Sequence, residues 1–372
     1  MKKLVSLFVI FALMCGFCVT VHAESVSTSA RAFVLYCADN GEVLLSDNPD
    51  ERLPMASTTK IMTSLITLEI ADKENRVVEF TDEMTAEGSS MYLKVGEKVK
   101  LHDLAVGMMM QSGNDAANAA AIAISGSIKR FCDRMNRKAA EIGMKNTHFV
   151  TPSGLDDEAH YSTARDMAML MAYALKNDSF RKLTAKKSDT VSFVEPMDKR
   201  VTYPNHNRLL SLYDGCIGGK TGYTMTAGRC LVTAAKRDGM TLIAVTLDDR
   251  DDWDDHCALY DYGFSHYAAL APEKTFDIRT PVAGGIHDEA AVYAEQNRSV
   301  ILPRDSLGKV KTTIELPPFL YAPLVRDMPV GKIKYTVDGK TVGEIPLLCA
   351  DNIAYDSRKR GFFEYIADVL KL

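Results

Sequence analysis

The chain has 372 residues, 47% of them apolar, with one Trp, 15 Tyr and a formal net charge of −5. That length exceeds one typical domain, and that apolar share builds a sizeable core. A mildly acidic chain without a basic tract excludes a nucleic-acid binder, so an anionic substrate must be drawn by local charge at its site.

At the N-terminus, Lys2 and Lys3 precede an apolar run from Leu4 to Val21, and Val21-His22-Ala23 puts Val21 and Ala23 at cleavage positions. This pattern predicts a secretory signal peptide over residues 1–23 and an exported protein, at the outer face of the cell membrane or in the cell wall. The run is near the lower limit for a membrane span. Its removal takes two lysines and no acids, moving the charge from −5 to −7. Six cysteines then remain (Cys37, Cys132, Cys216, Cys230, Cys257 and Cys349), with no CxxC pair among them. A domain this large folds without staples, so free, mostly buried thiols are expected.

Ala32–Tyr36 and Glu42–Leu45 flank Asp39-Asn40-Gly41, the signal of a β-hairpin. Helix follows from about Ser57, where Ile61, Met62, Leu65, Ile66 and Leu68 recur at three- and four-residue intervals. Ser57 and Lys60 then stand one turn apart on one face. Residues 100–150 read as mostly helical, with Ser112-Gly113-Asn114 at a break, and Asp166 to Leu175 as a further helix. From Asp214 the pattern turns to strands: Leu231–Ala235 and Thr241–Val245 are joined by Arg237-Asp238-Gly239. The acidic helix from Asp248 to Tyr267 carries His256, but its spacing matches no ligand set and reads as a solvated face. Past Ala271-Pro272, short β-rich runs and an Asp338-Gly339 hairpin predict a small all-β domain over residues 271–355. In Asp356–Leu372, Phe362, Phe363, Ile366, Val369 and Leu370 form one stripe after Arg358-Lys359-Arg360. Two readings fit: a peripheral membrane-binding helix, or a terminal helix docked on the β domain.

Three strings occur in order: Ser57-Thr58-Thr59-Lys60, Ser112-Gly113-Asn114 and Lys220-Thr221-Gly222, with first residues 55 and then 108 positions apart. A serine hydroxyl becomes a nucleophile only when a neighbour takes its proton. Lys60 is placed to do so if burial and a second lysine, Lys220, keep it neutral. Ser112 can pass a proton to a leaving amine and the Asn114 amide can hold a substrate carbonyl. Lys220 and Thr221 offer a cation and a hydroxyl to a carboxylate, and Gly222 admits substrate backbone. The N–H groups of Ser57 and Tyr223 are candidate oxyanion donors. Ser306-Leu307-Gly308-Lys309 and Ser46-Asp47-Asn48 match single strings but stand out of order. Gly215–Thr221 mimics a phosphate loop with its first glycine one residue too close, which argues against nucleotide binding. No cofactor or metal is called for.

These strings, with Leu53–Thr63, Glu87–Leu93, Asn146–Phe149, Tyr161–Met167 and Asp261–Phe264, resemble the serine-type D-alanyl-D-alanine carboxypeptidases among the low-molecular-weight penicillin-binding proteins. The resemblance implies an α/β (α+β) transpeptidase/β-lactamase-like domain over residues 24–270, its antiparallel sheet flanked by helices, then the β domain. It implies attack by Ser57 on peptidoglycan stem peptides, release of terminal D-Ala, and inhibition by β-lactam antibiotics. A D,D-endopeptidase would use the same residues, and a non-catalytic sensing module would have no need of Ser57 beside Lys60. Gly219 stands where relatives often carry a bulkier apolar residue, which implies a looser strand.

Overall fold

The computed structural model describes residues 26–272, 278–295 and 298–356. The expected signal peptide and residues 357–372 of the expected terminal helix lie outside the described residues. The first hairpin forms as expected, β1 (Ala32–Cys37) pairing antiparallel with β2 (Val43–Asp47). A 3₁₀ turn over Ala56–Thr59 then runs into α1 (Lys60–Ala71), of which only Glu69 and Ile70 are not buried. A helix so apolar all round belongs at the centre of a domain.

Around it come a ribbon of β3 (Val77–Glu79) and β4 (Lys98–Lys100), then α2 (Leu101–Met110), α3 (Asn114–Ser125) and α4 (Ile128–Ile142). Helix α4 shows how sequence sets a surface helix. It buries Phe131, Cys132, Met135 and Ala139 on one stripe, and the Ser127 side chain caps its start by accepting from the Arg130 N–H. Next are α5 (Ala164–Ala174), α6 (Asp178–Thr184) and a ribbon of β5 (Ser188–Ser192) and β6 (Arg200–Pro204). The chain continues through α7 (Leu209–Leu212), β7 (Cys216–Thr224), β8 (Gly228–Arg237), β9 (Met240–Leu247) and α8 (Asp252–His266).

The main sheet has the order β2-β1-β9-β8-β7 and is antiparallel throughout, with β7 at one edge. Its strands alternate strictly between two cores. Val34, Val232, Ala234, Ile243 and Val245 pack with α1, α2, α3 and α5, while Leu35, Leu231, Ala235, Leu242 and Ala244 pack against α8.

The solvated-face reading of α8 is corrected here. Asp252, Asp255 and His256 are all buried. The His256 ring sits between the Thr233 hydroxyl at 2.6 Å and the Thr246 hydroxyl at 3.2 Å, and Asp255 accepts the Ser29 N–H at 2.7 Å. A helix lying flat on a sheet hides its polar groups only where the sheet supplies partners, and two threonines supply them here.

After α8, strand β10 (Tyr267–Leu270) pairs with a strand of the later segment and leads the chain towards it. The elements there are β11 (Ile278–Ala283), β12 (Glu289–Ala294), β13 (Val300–Pro303), β14 (Lys311–Glu315), β15 (Leu320–Tyr321), β16 (Pro329–Val337) and β17 (Lys340–Cys349). Strand β10 pairs with β13, and the remainder form a sheet of order β14-β16-β17-β12-β11-β15. Asp338-Gly339 turns β16 into β17 as expected, and Ser306–Lys309 lies in a 3₁₀ turn over Arg304–Lys309. The six cysteines among the described residues are free, four of them buried. No helix among the described residues is long and apolar enough to cross a membrane.

Full burial pushes the His256 pKa down to about 3, from an unfolded value of about 6.5. The unfolded chain therefore takes up this proton first, and stability is lost as pH falls from about 6.5 towards 3, by up to about 1.4 kcal/mol per unit. Replacing His256→Gln should flatten that acid limb, which thermal unfolding of both proteins across this window measures.

Candidate active site

The turn that carries the serine is not yet α-helix. Ala56 has φ of +47°, and the Thr58 hydroxyl donates to the Met55 carbonyl at 2.6 Å, so residues 56–59 wind as a 3₁₀ turn. Ser57 is thereby left half-buried at the mouth of a cleft while Lys60, at 0% exposure, begins α1 beneath it. The Lys60 Nζ lies 2.8 Å from Ser57 Oγ, 2.7 Å from Asn114 Oδ1 and 2.6 Å from the Ser153 carbonyl oxygen.

Two of those three partners are carbonyl oxygens and only accept. A neutral amine has two N–H groups and one lone pair. With its N–H groups on Asn114 and Ser153, the lone pair is left for the Ser57 hydroxyl. The electrostatics favour the same state: burial first, and Lys220 second, push the Lys60 pKa well below its ordinary value, against an opposing pull from Asp115.

Ser112 lies between α2 and α3 with φ of +59°, a conformation that costs a non-glycine residue about 1 kcal/mol or more. Its Oγ accepts from Lys220 Nζ at 3.1 Å, and Lys220 also donates to the Thr221 carbonyl at 2.7 Å. Burial pushes Lys220 down to about 7. The Asn114 amide is fixed at both ends: Oδ1 accepts from Lys60, and Nδ2 donates one of its two N–H groups to the Glu87 carbonyl at 2.7 Å. The residue thereby bridges Lys60 to the 87–93 loop. Asp115 fixes that loop by accepting from Ser90 Oγ and from the Met91 and Leu93 N–H groups.

Gly222 has a second reason to be glycine. A Cβ there would lie 3.0 Å from both the Met55 oxygen and the Ser57 nitrogen, so the glycine lets the edge strand abut the serine turn itself. Gly219 does not loosen β7, because its N–H donates to Thr184 Oγ1 at 2.9 Å and its carbonyl accepts from the same hydroxyl at 3.2 Å. Ser57, Ser112, Thr221, Gly222 and Tyr223 line one cleft of about 510 Å³, together with Ser89, His206, Arg229, Asp252 and Trp253. Lys60, Asn114 and Lys220 sit behind its wall.

Sequence reasoning missed the loop Pro152-Ser153-Gly154. Its carbonyls accept from Lys60 and from Thr63 Oγ1, the latter at 2.6 Å. Gly154 has φ of +86°, and a Cβ on it would fall 2.0 Å from the Ala56 oxygen. The Pro-Ser-Gly turn was the only signal available, since a backbone acceptor has no side-chain signature. His160, which meets Thr59 Oγ1 at 2.8 Å, was missed as well.

The D-alanyl-D-alanine carboxypeptidase family matches residues 19–251, and the penicillin-binding protein 5 C-terminal domain matches residues 274–355. D-alanyl-D-alanine carboxypeptidase DacF of Bacillus subtilis is 32% identical, over 98% of this chain and 97% of that protein. DacC of Escherichia coli K12 is 36% identical, over 95% and 90% respectively. Penicillin binding protein 5 from Haemophilus influenzae superposes with a TM-score of 0.71 at 29% identity, covering 88% of this chain and 98% of its own. The Streptomyces K15 DD-transpeptidase gives 0.61 at 32% identity, covering 64% and 98%.

Asn114→Asp would place a carboxylate 2.7 Å from Lys60 with almost no change in shape. An adjacent anion favours the ammonium, so the pH at half-maximal acylation of Ser57 should rise by about 1 unit or more. Stopped-flow acylation by an activated ester across pH measures the shift.

Proposed function

The chain belongs to the D-alanyl-D-alanine carboxypeptidase family, and we propose that Ser57 is the nucleophile with which it acts on peptidoglycan stem peptides. It is a serine D,D-carboxypeptidase and a penicillin-binding enzyme: a hydrolase that removes the terminal D-Ala. The observation that carries the assignment of Ser57 is its hydroxyl at 2.8 Å from a lysine buried at 0% exposure.

The reaction then follows from the residues. Neutral Lys60 takes the Ser57 proton as Oγ bonds to the carbonyl carbon of the penultimate D-Ala. The oxyanion is held by the N–H groups of Ser57 and Tyr223. As the tetrahedral adduct collapses, the C–N bond breaks and Ser112 hands its proton to the departing D-Ala nitrogen. Ser112 is reprotonated from Lys220, and the proton that Lys60 took from Ser57 passes on to refill Lys220, so that both lysines return to their starting states. Water then gives a proton to neutral Lys60 as its oxygen bonds to the ester carbon, and Lys60 returns that proton to Ser57 Oγ as the ester C–O bond breaks and the shortened peptide leaves. A β-lactam acylates the same oxygen, its ring amide standing for the peptide bond.

We assign residues 24–270 to the catalytic domain and 271–355 to the β domain, supported by the family matches on either side of residue 271. Export through residues 1–23 and peripheral membrane association through residues 356–372 rest on sequence pattern. So does action at the outer face of the membrane or in the wall.

The test is D-alanine release from diacyl-Lys-D-Ala-D-Ala by the mature protein and by its Ser57→Ala variant. Release by the first and a loss of at least about 10³-fold in the second is expected for removal of the nucleophile. Release from neither, with cleavage of a crosslinked dimer instead, would move the activity to an endopeptidase.

A further inference from the structure

His160 is a buried titratable residue that the reaction steps leave unused, and at 3% exposure it touches the turn that carries Ser57. Its two ring nitrogens have different partners. Nδ1 accepts from two backbone N–H groups, those of Val150 at 3.1 Å and Thr151 at 3.3 Å. A ring nitrogen that accepts carries no proton, so in the neutral imidazole the hydrogen is on Nε2. Nε2 therefore donates to the Thr59 hydroxyl oxygen at 2.8 Å. Burial pushes the His160 pKa down to about 4, against the pull of Asp157 and Asp156, so the ring is neutral at neutral pH.

Both ends of that bridge belong to pieces of chain that meet Lys60. Thr59 is the last residue of the 3₁₀ turn, next to Lys60 in sequence. Val150 and Thr151 open the loop whose Pro152 and Ser153 carbonyls accept from Thr63 and Lys60. Residues 152–154 are buried and belong to no helix or strand. Such a stretch keeps its place through a few specific bonds, and His160 supplies two of them. The Phe149 ring packs edge-on against the imidazole, centroids 5.8 Å apart, and limits how it can turn. The consequence reaches Lys60 through its geometry. A primary amine rotates about its Cε–Nζ bond unless its N–H groups are fixed. In Lys60 one is fixed by Asn114 and the other by Ser153. If the Ser153 carbonyl moves away, the lone pair is no longer aimed at Ser57.

We propose that His160 is a positioning residue for the general base: through Thr59 it clamps the 150–154 loop onto the serine turn, and so holds the Ser153 carbonyl where it aims the Lys60 lone pair at Ser57. This rests on Lys60 being the base of the proposed carboxypeptidase reaction and names the residue that orients it. A misplacement of about 1 Å near reacting atoms costs on the order of 10²-fold in rate. Both half-reactions use Lys60 as base, so both depend on the clamp. His160 itself is absent from the lining of the substrate cleft, so its effect belongs in kcat and not in KM.

The experiment compares wild type with His160→Ala, His160→Gln, Thr59→Val and the His160→Ala/Thr59→Val double variant. D-Ala release from diacyl-Lys-D-Ala-D-Ala is measured per site titrated with a β-lactam, as are acylation of Ser57 by that β-lactam and hydrolysis of the resulting ester. His160→Ala should lower kcat by about 10- to 100-fold with KM within about twofold of wild type, and should slow acylation and hydrolysis alike. Thr59→Val cuts the same clamp at its other end, so it should lose a similar factor, and the double variant should lose no more than His160→Ala. His160→Gln keeps an amide N–H for Thr59 and should recover part of the loss. Wild-type rates per titrated site in His160→Ala, however unstable the protein, would make His160 a plain core residue and overturn the proposal. Losses that multiply in the double variant, or a loss confined to KM, would overturn it too. Should His160→Ala not fold, wild-type kcat in both Thr59→Val and His160→Gln has the same meaning. Wild type that is acylated by the β-lactam yet releases no D-Ala would refute the carboxypeptidase reading alone, and the acylation rates would still decide the role of His160.

Discussion

An amine buried at 0% exposure has to be either paired or uncharged, and Lys60 reaches no carboxylate among its hydrogen-bond partners. An isolated ammonium in such a place costs several kcal/mol, even after the protein relaxes around it. The neutral amine with two acceptors and one donor around it removes that cost, and most of the surrounding architecture serves to bring those three groups together. They come from three separate pieces of chain: the 3₁₀ turn, the start of α3 and the 152–154 loop. Gly154 and Gly222 are glycines because the second and third layers of backbone must close on that turn to within van der Waals contact. The left-handed Ala56 and Ser112 are the strain left over from the same convergence.

A second buried lysine beside the first would be a liability in a structural core, since two like charges cannot both be ionised there. Here the two are separated by function of partner. Lys60 meets the serine hydroxyl and two carbonyls, and Lys220 meets Ser112 and its own strand. Lys220 depresses Lys60, while burial alone depresses Lys220 to about 7. Burial and mutual repulsion thus both work against ionising the two lysines together, which suits one to act as base while the other resupplies a relay.

Much of this was legible in the sequence because it depends on local rules. Hairpins at Asn40-Gly41 and Asp338-Gly339, the helix after Ser57 and the break at Ser112-Gly113-Asn114 all follow from turn chemistry and apolar period. The order of three motifs sufficed to pick Ser57, Lys60, Ser112 and Lys220 out of several decoys, and the structure brings them together. What escaped was decided by long-range partners. The polar residues of α8 look solvent-facing until Thr233, Thr246 and Arg229 arrive from the sheet. The bridge that Asn114 makes from Lys60 to the Glu87 carbonyl leaves no local mark, and Ser153 contributes only a backbone oxygen.

The same distinction explains where the site stands in the molecule. Helices α1 and α3 carry groups that must be buried and mutually fixed, so they lie in the larger core. The sheet edge carries Thr221 and Tyr223, which line the cleft, and an edge strand is the one place in a sheet with unpaired backbone on offer. A peptide laid along β7 can extend the sheet while its reacting carbonyl falls at the serine turn against which Gly222 is packed. The β domain supplies none of these groups and has two apolar clusters of its own, joined to the rest through β10 and contacts such as Arg304 with the Phe264 carbonyl. Chemistry is therefore complete within the first domain.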